Sequence, residues 1–416
     1  MSYETARLGD FVTFSNGRSS PERTGSGEFA VFGSNGPIGR SGDCNAPPLT
    51  TVIGRVGSYC GSVHFSKHSS WVTDNAIKAI ANEQDEGRFW YYALLVADLG
   101  RLRSGSGQPL INQRSLNTVE LPVPPRCDRL RIADILGSLD DKIELNRRMN
   151  ETLEAMAQAI FRDWFVDFGP TRRKLEGATD PLTIMGGLVQ DTERAKTLAD
   201  LFPAALADDG LPAGWRLGVA SALVEFNPKE PLKKGTPAPY SDMSSLPTSG
   251  PLADPPVERE YGSGMRFRNG DALLARITPC LENGKSAFVD FLPDAQTVGW
   301  GSTEFYVLRS RKGVPTPFAY LLVRHPEFRA AAIASMTGTS GRQRAQVDRL
   351  EAFPFAEPRM ELLGEFGRFV LPMFHKITAN GGENRTLAVT RDLLLPKLMS
   401  GEIRLSEAED LLEAAQ

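Results

Sequence analysis

The chain has 416 residues, a formal net charge of −4, 41% hydrophobic and 24% charged side chains. This is ordinary globular composition, and the length predicts two or three domains. No run of about 18 apolar residues is present, which excludes a membrane-spanning helix, and Met1-Ser-Tyr-Glu-Thr has neither the basic nor the apolar region of a secretory signal. Cys44, Cys60, Cys127 and Cys280 are too scattered for a disulfide framework or a CxxC metal pattern, so a cytoplasmic location is expected.

Residues 1–125 carry 11 basic and 11 acidic side chains. Short strand-like runs such as Phe29-Ala-Val-Phe32 and Thr50-Thr-Val-Ile53 are punctuated by Gly and Pro, and Phe89-Trp-Tyr-Tyr-Ala-Leu-Leu-Val96 reads as a helix. After Leu121-Pro-Val-Pro-Pro125, apolar residues recur at Ile132, Leu136, Leu139 and Ile143, then at Leu153, Ala157, Ile160 and Trp164. The alternating spacing of 4 and 3 is a heptad seam, and Asn146 and Asn150 fill its two middle positions. A long helix is predicted over 126–170. Residues 176–210 carry 2 basic and 7 acidic side chains and fall in an acidic connector, 171–212. A second strand-rich region, 213–358, includes Phe305-Tyr-Val-Leu308 and the helical Phe318-Ala-Tyr-Leu-Leu-Val323. A second long helix and tail complete the chain over 359–416, with a seam at Phe366, Val370, Met373 and Ile377, then Asn380 and Asn384, then Leu387, Leu394 and Leu398. Pro372 and Gly381-Gly382 predict a kink or interruption in it.

The chain resembles itself. Lys142–Leu153 and Lys376–Leu387 are identical at six of twelve positions, at an offset of 234. Smaller offsets align earlier landmarks: Arg7-Leu8-Gly9 with Arg216-Leu217-Gly218, Val52–Arg55 with Leu273–Arg276, and Trp71-Val-Thr-Asp-Asn with Trp300-Gly-Ser-Thr-Glu. An offset that only grows marks one unit used twice. The expected fold is therefore α+β: two β-rich domains, each followed by a long helix, with the helices packed as an antiparallel coiled coil around a pseudo-two-fold. In that pairing Asn146 faces Asn384, and Asn150 faces Asn380. Buried asparagines of this kind fix register at some cost in stability.

With this repeat, Ile160-Phe-Arg-Asp-Trp-Phe-Val-Asp-Phe168, Leu201-Phe-Pro203, Leu211-Pro-Ala-Gly-Trp215, Ile277–Lys285, Gly301–Phe305 and Arg391–Ile403 together make the chain similar to type I restriction–modification specificity subunits. The resemblance implies two target recognition domains that each read half of an asymmetric, bipartite double-stranded DNA target. It implies long helices that space the domains and dock two methyltransferase subunits, and through them restriction/translocase subunits. Trp164 and Phe165 are expected at that docking surface. The subunit itself is expected to be non-catalytic, with S-adenosylmethionine on the methyltransferase partner, no metal and no membrane. A stand-alone DNA methyltransferase or nuclease, and a coiled-coil scaffold with protein- or glycan-binding domains, are the competing readings.

Base edges and phosphates are contacted mainly by Arg, Lys, Asn, Gln and hydroxyl groups. In the first domain this points to Arg55, Ser58 and Tyr59 after a strand, and to Arg103, Ser106, Gln108, Asn112 and Arg114 in a Gly-rich loop. In the second it points to Arg276, Thr278 and Lys285, and to Arg342, Gln343 and Arg344 in the matching loop. Two roles stay open for Arg55 and Arg276: DNA contact, or an ion pair that holds the fold. Three motifs mislead. Asp254-Pro-Pro-Val257 lacks the aromatic residue an amino-methyltransferase stacks on its flipped base. Gly284-Lys285-Ser286 has Pro279 where a phosphate-binding loop needs its first glycine. His64 and His68 are four apart, but in a strand-like stretch where helical spacing has no meaning.

Overall fold

A computed structural model describes residues 3–104, 109–339 and 341–415, with side chains through Leu411. The chain divides into two compact units, Met1–Glu144 with Asn384–Gln416, and Leu145–Glu383. The division crosses both long helices, Arg126–Phe165 and Met360–Ser400. Each unit therefore contains one β-rich domain and a stretch of both helices.

In the first unit, Glu4–Arg7 pairs with Glu120–Val123 and closes the domain. Between them lies a four-stranded antiparallel sheet in the order Val12–Asn16, Ala76–Ala81, Thr50–Gly54, Val63–Ser66. A three-stranded sheet of Gly36–Ser41, Phe29–Gly33 and Ser70–Val72 includes one parallel pair, 29–33 with 70–72. The central strands are apolar on both faces because both faces are covered. Val52 and Ala76 point into a small cluster with Phe32, Ala46 and Val72. Their neighbours Ile53 and Ile77 point the other way, to Phe89, Trp90 and Tyr92 of the helix Gly87–Val96 and to Ile132, Leu136 and Leu139 of the first long helix. A strand covered twice reads as a continuous apolar run rather than an alternation.

The second unit repeats this plan. Arg216–Val219 pairs with Pro354–Glu357. A four-stranded antiparallel sheet runs Val224–Phe226, Phe305–Ser310, Asp271–Ala275, Ser286–Phe288. A second sheet again contains one parallel pair, Pro237–Ser241 with Gly299–Gly301. Leu273 and Val307 face one cluster and Leu274 and Leu308 the other, with the helix Pro317–Arg324 on the larger side. The repeat read from scattered identities is thus a repeat of topology.

The acidic stretch expected as a connector over 171–212 is partly helical. The first long helix ends at Phe165, and Phe168, at φ 53°, turns the chain into a new helix, Gly169–Leu175. Two further helices follow, Pro181–Ile184 and Thr192–Ala199. Asp180 and Asp191 cap them, each accepting a backbone N–H at 2.9 and 2.7 Å. An anionic oxygen at a helix N-terminus satisfies an orphan N–H and opposes the helix dipole. Ile184, Met185, Leu198 and Phe202 are buried in the core of the second unit, so this segment is folded structure.

The long helices pair antiparallel within each unit. In the first, Arg391 reaches Asp140 at 2.7 Å, and Asn384 donates to the Ile143 carbonyl at 3.3 Å. In the second, Asn146 donates to Glu383 at 2.8 Å, Asn380 donates to the Asn150 side-chain oxygen at 2.8 Å, and Asn150 donates to the Ile377 carbonyl at 3.3 Å. Asn146, Asn150 and Asn380 are all buried. The second helix is not interrupted at Pro372 or Gly381-Gly382 but runs from Met360 to Ser400. Buried Phe366, Val370, Phe374 and Ile377 hold this stretch in place, and a side chain at Gly381 would press on Leu252, 2.7 Å from its added Cβ. Packing overrides the weak helix propensity of Gly and Pro here. Among the described residues, no helix is long and apolar enough to cross a membrane.

Candidate nucleic-acid interface

The first candidate site grows from the end of the central strand. Past Gly54 the chain continues to Arg55, whose N–H donates to the Asn75 carbonyl at 2.9 Å. The segment 109–111 then lies along 55–57: Gly57 N–H donates to Pro109 at 3.2 Å and Ile111 N–H to Arg55 at 3.0 Å. Ser104 and Leu110 exchange two hydrogen bonds of 3.0 Å, forming the neck of the Gly-rich loop. Beyond it, Asn112 accepts the Ser115 N–H at 2.9 Å and caps the short helix Gln113–Asn117. This cap aims the helix start at Arg55.

The result is a polar cleft of about 400 Å³ lined by Asn16, Arg55, Asn112, Gln113 and Arg114. Arg55 donates to the Asp74 carbonyl at 3.2 Å. Neither Arg55 nor Arg114 has an ion-pair partner among the described residues. Ser58 and Tyr59 are exposed on an adjacent turn that Gly57, at φ 78°, makes possible. Arg103 ties that turn to the loop by donating to the Cys60 carbonyl at 2.9 Å. Ser106 and Gln108 lie outside the described residues.

The second domain builds the same platform. Arg276 N–H donates to the Glu304 carbonyl at 3.0 Å, and Ala345 N–H to Arg276 at 2.8 Å. Thr278 and Gln343 pair through the Thr278 N–H and carbonyl of Gln343 at 3.0 Å, and the Gln343 N–H and Thr278 hydroxyl at 3.1 Å. Thr337 and Arg344 exchange two hydrogen bonds and close the loop neck. The electrostatics differ, however. Arg344 grips Glu304 with two prongs, at 2.9 and 2.6 Å. Arg276 lies 3.6 Å from the same carboxylate and 5.1 Å above the Tyr306 ring. The hydrogen bond from Arg344 holds the Glu304 carboxyl below its ordinary range. For Arg276, the ion-pair role left open by the sequence is therefore present. Arg342 is exposed at the loop tip.

Two expectations change. Lys285 turns its ammonium to the carbonyls of Met243 at 2.7 Å and Ser244 at 3.4 Å, so it braces a turn rather than offering itself to phosphate. Trp164 and Phe165 are each 1% exposed, packed against Phe202, Phe366 and Phe369 or Trp215 and Phe318. They hold the second unit together and have no surface to dock a partner. Asn16, Gln113 and Glu304 were not singled out from sequence, although aligning Trp71–Asn75 with Trp300–Glu304 already sets Asn75 opposite Glu304.

Residues 2–155 match the family model described as the type I restriction modification DNA specificity domain. The chain is 26% identical over 361 residues to the type I restriction enzyme HindI specificity subunit of Haemophilus influenzae, covering 78% of this chain and 76% of that protein. It is 27% identical over 308 residues to the MjaIX specificity subunit of Methanocaldococcus jannaschii, covering 74% and 66%. In fold it is similar to the S subunit of a type I restriction–modification system from M. genitalium, with a TM-score of 0.58, 15% identity and 96% of both chains covered.

Proposed function

We propose that this chain is a type I restriction–modification specificity subunit that reads a bipartite double-stranded DNA target, one half with each β-rich domain. The observation that carries this is the platform built twice on equivalent topology: an arginine just past the end of the central strand, flanked by a hairpin-necked loop. Arginine and the amides of Asn and Gln suit purine edges, where they make two-pronged contacts, and arginine also neutralises phosphate. The first cleft sets two arginines beside Asn16, Asn112 and Gln113, a set able to do both. The two platforms carry different side chains, so the two half-sites differ and the target is asymmetric.

The chain acts without catalysing a reaction. It works in the cytoplasm, where it joins two methyltransferase subunits and restriction/translocase subunits, and S-adenosylmethionine is bound by the methyltransferase. The test is Arg55→Ala with Arg114→Ala, measured as DNA affinity against salt. Removing one phosphate contact is expected to flatten the log–log salt slope by about 0.9, and removing one base contact to cost about 1–3 kcal/mol. Unchanged affinity and slope would remove the cleft from the interface.

A further inference from the structure

We propose that Glu304 is a positioning residue that holds Arg276 and Arg344 off non-cognate phosphates, an electrostatic brake present in the second domain and absent from the first; this rests on the DNA-reading function above. The two platforms are equivalent in backbone. Arg55 and Arg276 each donate their N–H to the carbonyl of the residue at one matched position, Asn75 in the first domain and Glu304 in the second. At that position the first domain carries a neutral amide and the second a carboxylate. The consequence is local. Among the described residues the Arg55 guanidinium meets a backbone carbonyl and no carboxylate, whereas Arg276 and Arg344 converge on one anion.

A guanidinium already paired with a carboxylate releases no counterion when it approaches a phosphate, because it must first give up its own anion. Two-pronged geometry makes that exchange harder than for a single contact. The pair is nonetheless reachable, since the side chains of Glu304 and Arg344 are 23% and 41% exposed. A partly exposed pair is weak enough to open when base contacts add to the phosphate contact. The second domain is therefore built to engage poorly with arbitrary sequence and to release its arginines where base contacts favour it. Glu304 thus acts on specificity through the arginines it holds.

The experiment is Glu304→Gln in the full chain, binding a mixed-sequence duplex of about 30 base pairs from about 50 to 200 mM salt. Gln keeps the shape and removes the charge, making the second platform resemble the first. Non-specific affinity at low salt should rise several-fold, and the log–log slope should steepen by about 0.9 for each arginine released. Glu304→Asp, which keeps the charge, should stay near the wild-type slope. A merely structural carboxylate predicts the opposite sign, because a loosened loop binds more weakly. A folded Glu304→Gln chain with an unchanged or shallower slope overturns the brake. Arg344→Gln gives a second reading that does not depend on the first variant folding: a held arginine contributes nothing, so the wild-type slope should persist. A slope shallower by about 0.9 would place Arg344 on phosphate already and overturn the proposal. Wild-type chain that binds no duplex, alone or with a methyltransferase partner, would overturn the DNA-reading function itself.

Discussion

Asp141 of the first long helix receives Arg88 through two hydrogen bonds, at 2.5 and 2.9 Å, and Lys67 through a third. Gly137 one turn earlier makes room for this, since an added Cβ would sit 2.5 Å from the Arg88 guanidinium. The Arg88 hydrogen bond, reinforced by Lys67, holds the Asp141 carboxyl down to about 2 from 3.8. A depressed folded-state value means stability that is complete above about pH 4 and lost as the pH falls towards 2. Over that range the urea midpoint of the wild type should fall more steeply than that of Asp141→Asn; parallel curves would remove Asp141 from the acid response. Legibility at this scale is uneven. Arg55, Asn112 and Arg114 come together in one cleft, where residue chemistry and repeat position suggested a shared role. Trp164 and Phe165 were misplaced because an aromatic on a heptad seam looks the same whether its partner is another protein or its own core. The carbonyls of Met243 and Ser244 around the Lys285 ammonium were not legible, because sequence does not show which carbonyls surround an ammonium.

The long helices are the elements most fully legible in sequence. Their seams, their asparagines and the antiparallel sense follow from period and symmetry, and the hydrogen bonds from Asn380 to Asn150 and from Asn150 to the Ile377 carbonyl realise the register. Asn380→Ala leaves the buried Asn150 oxygen without its donor. It should cost about 1–3 kcal/mol in urea denaturation; no loss would mean water or a shifted side chain replaces the donor. The continuity of the second helix was not legible, since Pro372 and Gly381-Gly382 are local signals and the buried apolar face that overrides them is tertiary. Pro372 is exposed and has no N–H to donate towards the carbonyl of Arg368. Pro372→Ala should therefore raise stability by about 1–3 kcal/mol in the same assay; an unchanged midpoint would mean that the helix already bends to suit the proline. The acidic segment gives the converse lesson. Its charge suggested a connector, while its aspartates serve as caps on short helices whose apolar sides join the core.

For the whole molecule, the net charge of −4 is a poor guide to DNA binding. Much of the acidity lies in the 176–210 segment, and the second domain neutralises arginines internally at Glu304. The chain alone should bind DNA weakly, with a log–log salt slope of about −2 to −3, and tightly only with methyltransferase subunits around the duplex. A slope near −6 for the isolated chain would show a complete phosphate footprint and remove the need for partners. Sequence by itself determined the duplicated plan, the α+β class and the paired helices. Each of these is written in periodicity or in self-similarity, which survive without coordinates. Tertiary structure alone decided which charged groups are committed to one another. Arg344 and Glu304 are 40 residues apart, and among the described residues Arg55 meets no carboxylate although Asp74 precedes the residue matching Glu304. Charge pairing depends on distances of a few ångströms between side chains brought together by folding, and no spacing along the chain encodes them.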